Sequence, residues 1–226
     1  GFYLGLCLFF GYVSQVFGLK YTTAARSGFI TGLAVVVVPF LSLVILKKNP
    51  GLPNYLGAFI ALIGLLFMTG IGSARIYPGD YLCLVSAISF ALQIVLLSKY
   101  LSQGEDAILL TLIQMGVVAG GAGLLSLFTN NSYQLNLPTI GVIAYTGLLA
   151  TAFAYLIQGY AQIYIPATRA ALIFAMEPVF GAVLSYLVLG ERMSNMAIVG
   201  GILIVSGTLV SELLPHLFKN QLMDRS

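Results

Sequence analysis

Residues 174–183 read FAMEPVFGAV, a single carboxylate, Glu177, set in an apolar run with Pro178 directly behind it. If the run is a membrane helix beginning near Ala167, Glu177 lies about ten residues in, roughly 15 Å at 1.5 Å per residue. That is close to the middle of a hydrocarbon core ~30 Å thick. A carboxylate at that depth costs roughly 2.5–3.5 kcal/mol, so it is expected to face a cavity or a partner. Two chemistries suit it: carrying a proton for coupling, or binding the amine of a solute. The competing reading is a structural carboxyl hydrogen-bonded to a neighbouring helix. Pro178 removes a backbone N–H and crowds the carbonyl of Phe174, a break that membrane protein tolerates where protein or a wet cavity satisfies the freed group. Pro39 is a second candidate kink, read as static. Gly181 and Ser185 follow Glu177 at four-residue spacing and are read as packing positions.

Neutral polar residues form stripes at helical spacing: Thr151, Tyr155, Gln158 and Gln162 on one helix, Ser86, Ser89 and Gln93 on another, and Tyr12 with Gln15 on a third. In lipid such side chains turn inward. There Tyr155, Gln158, Gln93, Tyr12 and Gln15 are candidates to line a cavity, with interhelical hydrogen bonding as the plainer alternative. Arg26 and Arg169 stand at helix entrances, where a cation opposes the macrodipole. They are candidate gates or contacts for a solute carboxylate, and otherwise would snorkel to headgroups.

The elements that hold these residues are apolar helices. Of 226 residues, 59% are hydrophobic and 8% charged, far below the ~25% charge of a soluble domain. Apolar blocks of about 20 residues, enough to cross a bilayer, fall at about 2–20, 25–46, 55–72, 80–101, 107–128, 138–161, 167–189 and 196–214, separated by turn-forming stretches such as KKNPGLPN and SQGED. The fold class predicted is therefore an all-α polytopic membrane protein with eight visible transmembrane helices. A net charge of +3 without a basic stripe gives no footprint for nucleic acid. Cys7 and Cys83 lie in apolar blocks and read as small fillers, with no metal site or disulfide framework implied.

The chain also repeats. An ungapped shift superposes Phe10, Tyr12, Gln15 and Tyr21 on Phe153, Tyr155, Gln158 and Tyr164, and TTAAR on IPATR, bringing Arg26 onto Arg169. Leu41 and Ser42 fall on Leu184 and Ser185, and Gly57 and Gly64 on Gly200 and Gly207. Residues 1–72 then hold the last three helices of one repeat, 73–214 a complete second repeat, and 215–226 a tail. The expected unit is five helices in a ten-helix protein, about 70 residues preceding Gly1, with the second unit inverted as in many secondary transporters. Loops carrying Lys47, Lys48, Lys99, Arg169, Lys219 and Arg225 fall on one side, those carrying Lys20, Arg26, Arg75 and Arg192 on the other. The positive-inside tendency puts the first set and the C-terminus in the cytoplasm.

The stretch IPATRAALIFAMEPVFGAVLSYLVLGERMS, followed by the glycine-spaced GGILIVSGTLV, resembles the EamA family of the drug/metabolite transporter superfamily. The resemblance covers nearly the whole chain and is strongest in the second repeat. In the first, LKKN stands where LGER stands later, and Ala34 occupies the position of Glu177. The resemblance implies a ten-helix, two-repeat permease in the plasma (inner) membrane that moves small metabolites or drugs, often outward, by alternating access. The partners expected are a small solute, with an amino acid or related metabolite as candidate, membrane lipid and a second copy of the chain. No cofactor is called for. The alternatives are an intramembrane enzyme and a non-transporting scaffold. The one histidine, His216, lies near the C-terminus, and no P-loop pattern is present.

Overall fold

The computed structural model describes residues 1–70, 76–128, 136–190 and 192–223, and of these the backbone alone at 189 and 215–223. Arg75 and Arg225, used above to orient the chain, lie outside the described residues, as do the side chains of Lys219 and His216. Among the described residues, eight helical spans are long and apolar enough to cross a bilayer: Phe2–Leu19, Ala24–Leu46, Leu52–Thr69, Pro78–Ser102, Ala107–Leu127, Leu137–Tyr164, Ala167–Val188 and Asn195–Leu214. Each predicted block is present, with its ends moved by no more than about one turn.

Local chemistry sets the ends. Thr23 accepts from the Arg26 N–H and opens α2 (Ala24–Gly32). Asp106 accepts from the Leu109 N–H and opens α6 (Ala107–Leu127), and Asn136 does the same for α7 (Leu137–Ala144). Gly51, with φ 85°, carries the turn into α4 (Leu52–Thr69), which closes at Gly70 in the left-handed region. The outer faces present large apolar side chains such as Phe59, Leu112 and Leu187, the arrangement lipid requires.

Three spans are interrupted. The second comprises α2, α3 (Ala34–Leu41, containing Pro39) and a π-helical turn, Ser42–Leu46. The sixth comprises α7, a π-helical segment Tyr145–Phe153 and α8 (Ala154–Tyr164). The seventh divides into α9 (Ala167–Phe174) and α10 (Glu177–Leu189).

The breaks in the second and seventh spans are equivalent under the repeat. Leu33 and Met176, matched residues, each donate to the carbonyl three residues back, Ile30 at 3.1 Å and Ile173 at 3.0 Å. Each then accepts from the N–H three residues on, Val36 and Val179, both at 2.9 Å. The expectation that Pro178 makes the kink is thereby refined. The same tight turn forms in the first repeat, where Ala34 and Val35 replace Glu177 and Pro178. There Thr31 bonds its own backbone through the Ser27 carbonyl at 2.8 Å, a contact that bends helices. Pro178 occupies the first turn of α10, where an N–H is not needed.

The remaining helices are α1 (Phe2–Leu19), α5 (Pro78–Ser102) and α11 (Asn195–Met223). The centre of the molecule is the antiparallel crossing of α4 and α11. A Cβ on Gly57 would stand 2.5 Å from the Gly207 carbonyl oxygen, and one on Gly200 2.5 Å from that of Gly64. Gly57 matches Gly200 and Gly64 matches Gly207, so these contacts are one contact repeated by a two-fold axis running between the helices. Ala61 and Ile204, also matched, lie between them in a core with Val35, Ala58, Leu65, Leu172 and Ala175. A second core joins Val38 of α3, Ala91, Ile94 and Val95 of α5, and Ala167, Ala170 and Ala171 of α9. By contrast Gly28, Gly116, Gly120 and Gly181 face no neighbour within van der Waals reach among the described residues. The packing role expected of Gly181 is therefore not seen there.

A side chain at the crossing must push two backbones apart. Gly64→Val and Gly207→Val are each expected to destabilise the purified protein by about 1–3 kcal/mol. Gly116→Val should lie within about 0.5 kcal/mol of wild type. Thermal unfolding in detergent measures all three.

Candidate functional site

Tyr12 of α1 and Tyr155 of α8 are matched by the repeat, and they touch. The Tyr12 hydroxyl donates to the Tyr155 hydroxyl at 3.1 Å, and the two rings stand edge to face with centroids 6.5 Å apart. Matched residues meet only where the pseudo-two-fold axis passes, so this pair marks the axis on the polar side of the bundle. Phe90 of α5 closes on Tyr12 at 5.4 Å, a ring that Gly11 admits by having no Cβ. Thr151, in the π-helical segment, stands beside the Tyr12 hydroxyl. Glu177, the first residue of α10, lies within electrostatic reach of both tyrosines. The start of a half-helix favours a carboxylate through the macrodipole, and Glu177 is exposed there.

One turn beyond Tyr155 and Phe90, the glutamines converge. Gln158 donates to Gln93 at 3.1 Å, and Gln93 donates to Gln114 of α6 at 3.2 Å; all three are buried. Gln162 joins from the next turn and donates to the Ile94 carbonyl at 3.4 Å. The sequence stripes identified Gln93, Gln158 and Gln162 but not Gln114, which stands alone among apolar residues in IQMG and shows no stripe of its own. Gln15, the match of Gln158, is half-buried and stands outside the cluster, and Ser89 bonds back to the Val85 carbonyl. Cys7 and Cys83 are free thiols.

The two matched arginines both find carboxylates within the protein. Arg26 pairs with Asp80 at 2.5 Å through Nη2 and at 3.3 Å through Nε, and its guanidinium lies 5.1 Å from the Tyr77 ring centre. Asp80 also accepts from Thr22 at 2.6 Å and from the Tyr77 N–H at 2.9 Å. This knot joins the start of the second span to the start of the fourth. Arg169 pairs with Glu212 at 3.2 Å. Beside it, the Asn54 side-chain oxygen accepts from Ser211 at 2.8 Å and from Thr168 at 3.2 Å, tying α9 to the α4–α11 crossing. The chain threads so that the Arg26 and Arg169 knots fall on opposite membrane faces. Asp80 was missed in the sequence because YPGD reads as a turn, and only the fold brings it to Arg26.

The arrangement is a bundle of apolar spans with polar side chains gathered inside it, and known proteins share it. The EamA-like transporter family model matches residues 1–70 and 77–213. The chain is 30% identical over 213 residues to an uncharacterized transporter of Archaeoglobus fulgidus, covering 94% of this chain and 68% of the relative. It is 29% identical over 221 residues to the uncharacterized transporter YyaM of Bacillus subtilis, covering 92% of this chain and 71% of the relative. A solved crystal structure superposes with a TM-score of 0.80 at 18% identity, over 93% of this chain and 76% of the other, which supports the shared fold. The chain belongs to the EamA-like transporter family. It is an integral, multi-pass membrane protein of the transporter class.

If Tyr12 and Tyr155 form one hydrogen bond on the axis, removing either hydroxyl removes the same interaction. Tyr12→Phe and Tyr155→Phe are each expected to cost about 0.5–1.5 kcal/mol. The double variant should cost little more than one alone, a coupling read from a double-mutant cycle of unfolding free energies. Strictly additive losses would show that the hydroxyls do not depend on each other.

Proposed function

We propose that the protein is a secondary-active transporter of small metabolites, working by alternating access between its inverted repeats and coupled to protons through Glu177. The observation that carries this reading is the contact of matched residues Tyr12 and Tyr155 on the pseudo-two-fold axis, with Glu177 in reach. A site on that axis is equally placed with respect to both membrane faces, as alternation of a fixed site requires. Glu177 sits where the half-helix α10 begins, and broken helices of this kind form the solute sites of transporters. Its carboxylate can take a proton or the ammonium of an amino-acid-like solute, and the tyrosines supply a hydrogen-bonding aromatic wall. Gln15 and the glutamine cluster extend that wall with neutral groups.

The Arg26–Asp80 knot serves in this reading as the latch of one face, because it bridges the two repeats. Arg169, held by Glu212 beside Asn54, anchors the half-helix α9 at the other face. The excess of positive residues near the Arg169 face supports an orientation with that face and the C-terminus toward the cytoplasm, in the plasma (inner) membrane. A second copy of the chain is a candidate partner for the exposed apolar helix faces.

Two measurements in proteoliposomes test the reading. Glu177→Gln should abolish the response of solute flux to a pH gradient while leaving thermal stability near wild type. Flux in that variant that still follows the gradient would remove Glu177 from coupling. Reversing charge at Arg26 or at Asp80 alone sets two like charges against each other in the latched state. Net flux should fall in each single variant and recover in the reciprocal Arg26→Asp, Asp80→Arg pair.

A further inference from the structure

The glutamine cluster is an amide relay with a direction fixed by the backbone. The Ile94 carbonyl can only accept, so Gln162 turns its Nε2 toward it and its Oε1 toward Gln158. Gln158 must then present Nε2, which also reaches Gln93 Oε1. Gln93 in turn presents Nε2 to Gln114 Oε1. The relay therefore leaves a free N–H donor at its end, Gln114 Nε2, and a free acceptor partway along it, Gln158 Oε1, both buried and without partners among the described residues. Gln114 is 0% and Gln158 5% exposed. An unmet buried polar group costs about 1–3 kcal/mol, and here two of opposite kind remain in one cluster at membrane depth.

The cluster is also adjacent to the tyrosine pair. Gln158 is one helical turn past Tyr155 on α8, and Gln93 one turn past Phe90 on α5; both of those rings contact Tyr12. At 1.5 Å per residue the step is about 4.5 Å. Gly159 seats α8 on α6, since a Cβ there would lie 3.1 Å from Thr111 Oγ1. The three helices bearing the relay are thus held close, and no member of the relay carries a charge.

We propose that this relay is a recognition subsite for an uncharged carboxamide, with Gln114 Nε2 donating to the carbonyl of the group and Gln158 Oε1 accepting from its N–H. The inference rests on the transport reading above and narrows it to solutes that bear an amine for Glu177 and an amide a short distance away. A carboxylate in the same place satisfies Gln114 but sets an anion against Gln158 Oε1, and no cation of the cluster compensates it. An apolar group leaves both ends unmet. Sites built from such hydrogen bonds discriminate strongly against analogues that lack them. Gln114 is a specificity-determining residue on this account, since it supplies the open donor.

The test uses the chain reconstituted in liposomes, with uptake of L-glutamine, its near-isostere L-glutamate and the apolar L-methionine measured side by side. Wild-type protein should take up glutamine at least about tenfold faster than either competitor. Gln114→Leu, and the near-isosteric Gln114→Glu, should both collapse that preference toward unity. Retained methionine uptake in either variant shows that it is folded. Equal uptake of glutamine and glutamate by wild type, or a preference that survives both variants, overturns the inference and leaves the cluster holding buried water only. Movement of none of the three also overturns it. The transport reading itself fails only if sugars, purines and cationic solutes are likewise not moved under a proton gradient.

Discussion

The structure depends on how closely α4 and α11 can approach. In lipid there is no hydrophobic force to join helices, so association rests on packing and on small residues at the contact. Gly57, Gly64, Gly200 and Gly207 bring each backbone against the carbonyls of the other. Because these glycines are matched in pairs, the crossing is its own image, and it fixes the axis about which the repeats are inverted. The position of the Tyr12–Tyr155 pair follows from that axis, as does the placing of Arg26 and Arg169 on opposite faces.

Around this symmetric frame the chemistry is asymmetric. The equivalent second and seventh spans break at matched residues, yet only the seventh places a carboxylate at the break, where the second has Ala34. Both arginines pair with carboxylates, but Arg26 reaches Asp80 at the start of the fourth span and Arg169 reaches Glu212 at the end of the eighth. The buried glutamines are likewise unevenly shared, since Gln93, Gln114, Gln158 and Gln162 all follow residue 72. The scaffold is thus nearly symmetric, while the carboxylate at the helix break and the buried glutamines are not.

Much of this was legible in the sequence, because apolar length and an ungapped repeat are one-dimensional signals. The spans, the matched glycines and the pairing of Tyr12 with Tyr155 in register can all be read along the chain. What could not be read is who meets whom in space. Register matched Tyr12 to Tyr155, but only the folded axis brings their hydroxyls together. Asp80 looked like part of a turn, and Gln114 was a lone amide in an apolar helix. Pro178 marks the break in the seventh span, but no proline stands beside the matched turn at Leu33, so the break in the second span leaves no such mark in the sequence. Gly181 fitted a packing pattern and faces no neighbour, since periodicity names a helix face without saying what lies opposite.

The central claim is that the two faces open in opposition about the α4–α11 axis. The most direct measurement is a pair of spin-label distances across the repeats in the reconstituted protein, Tyr21 to Ser194 on the Arg26 face and Lys48 to Glu105 on the other. All four positions are exposed. With a proton gradient applied and then reversed, the account predicts that one distance lengthens as the other shortens, and that the order inverts with the gradient. Two distances that stay fixed, or that lengthen together, would contradict it.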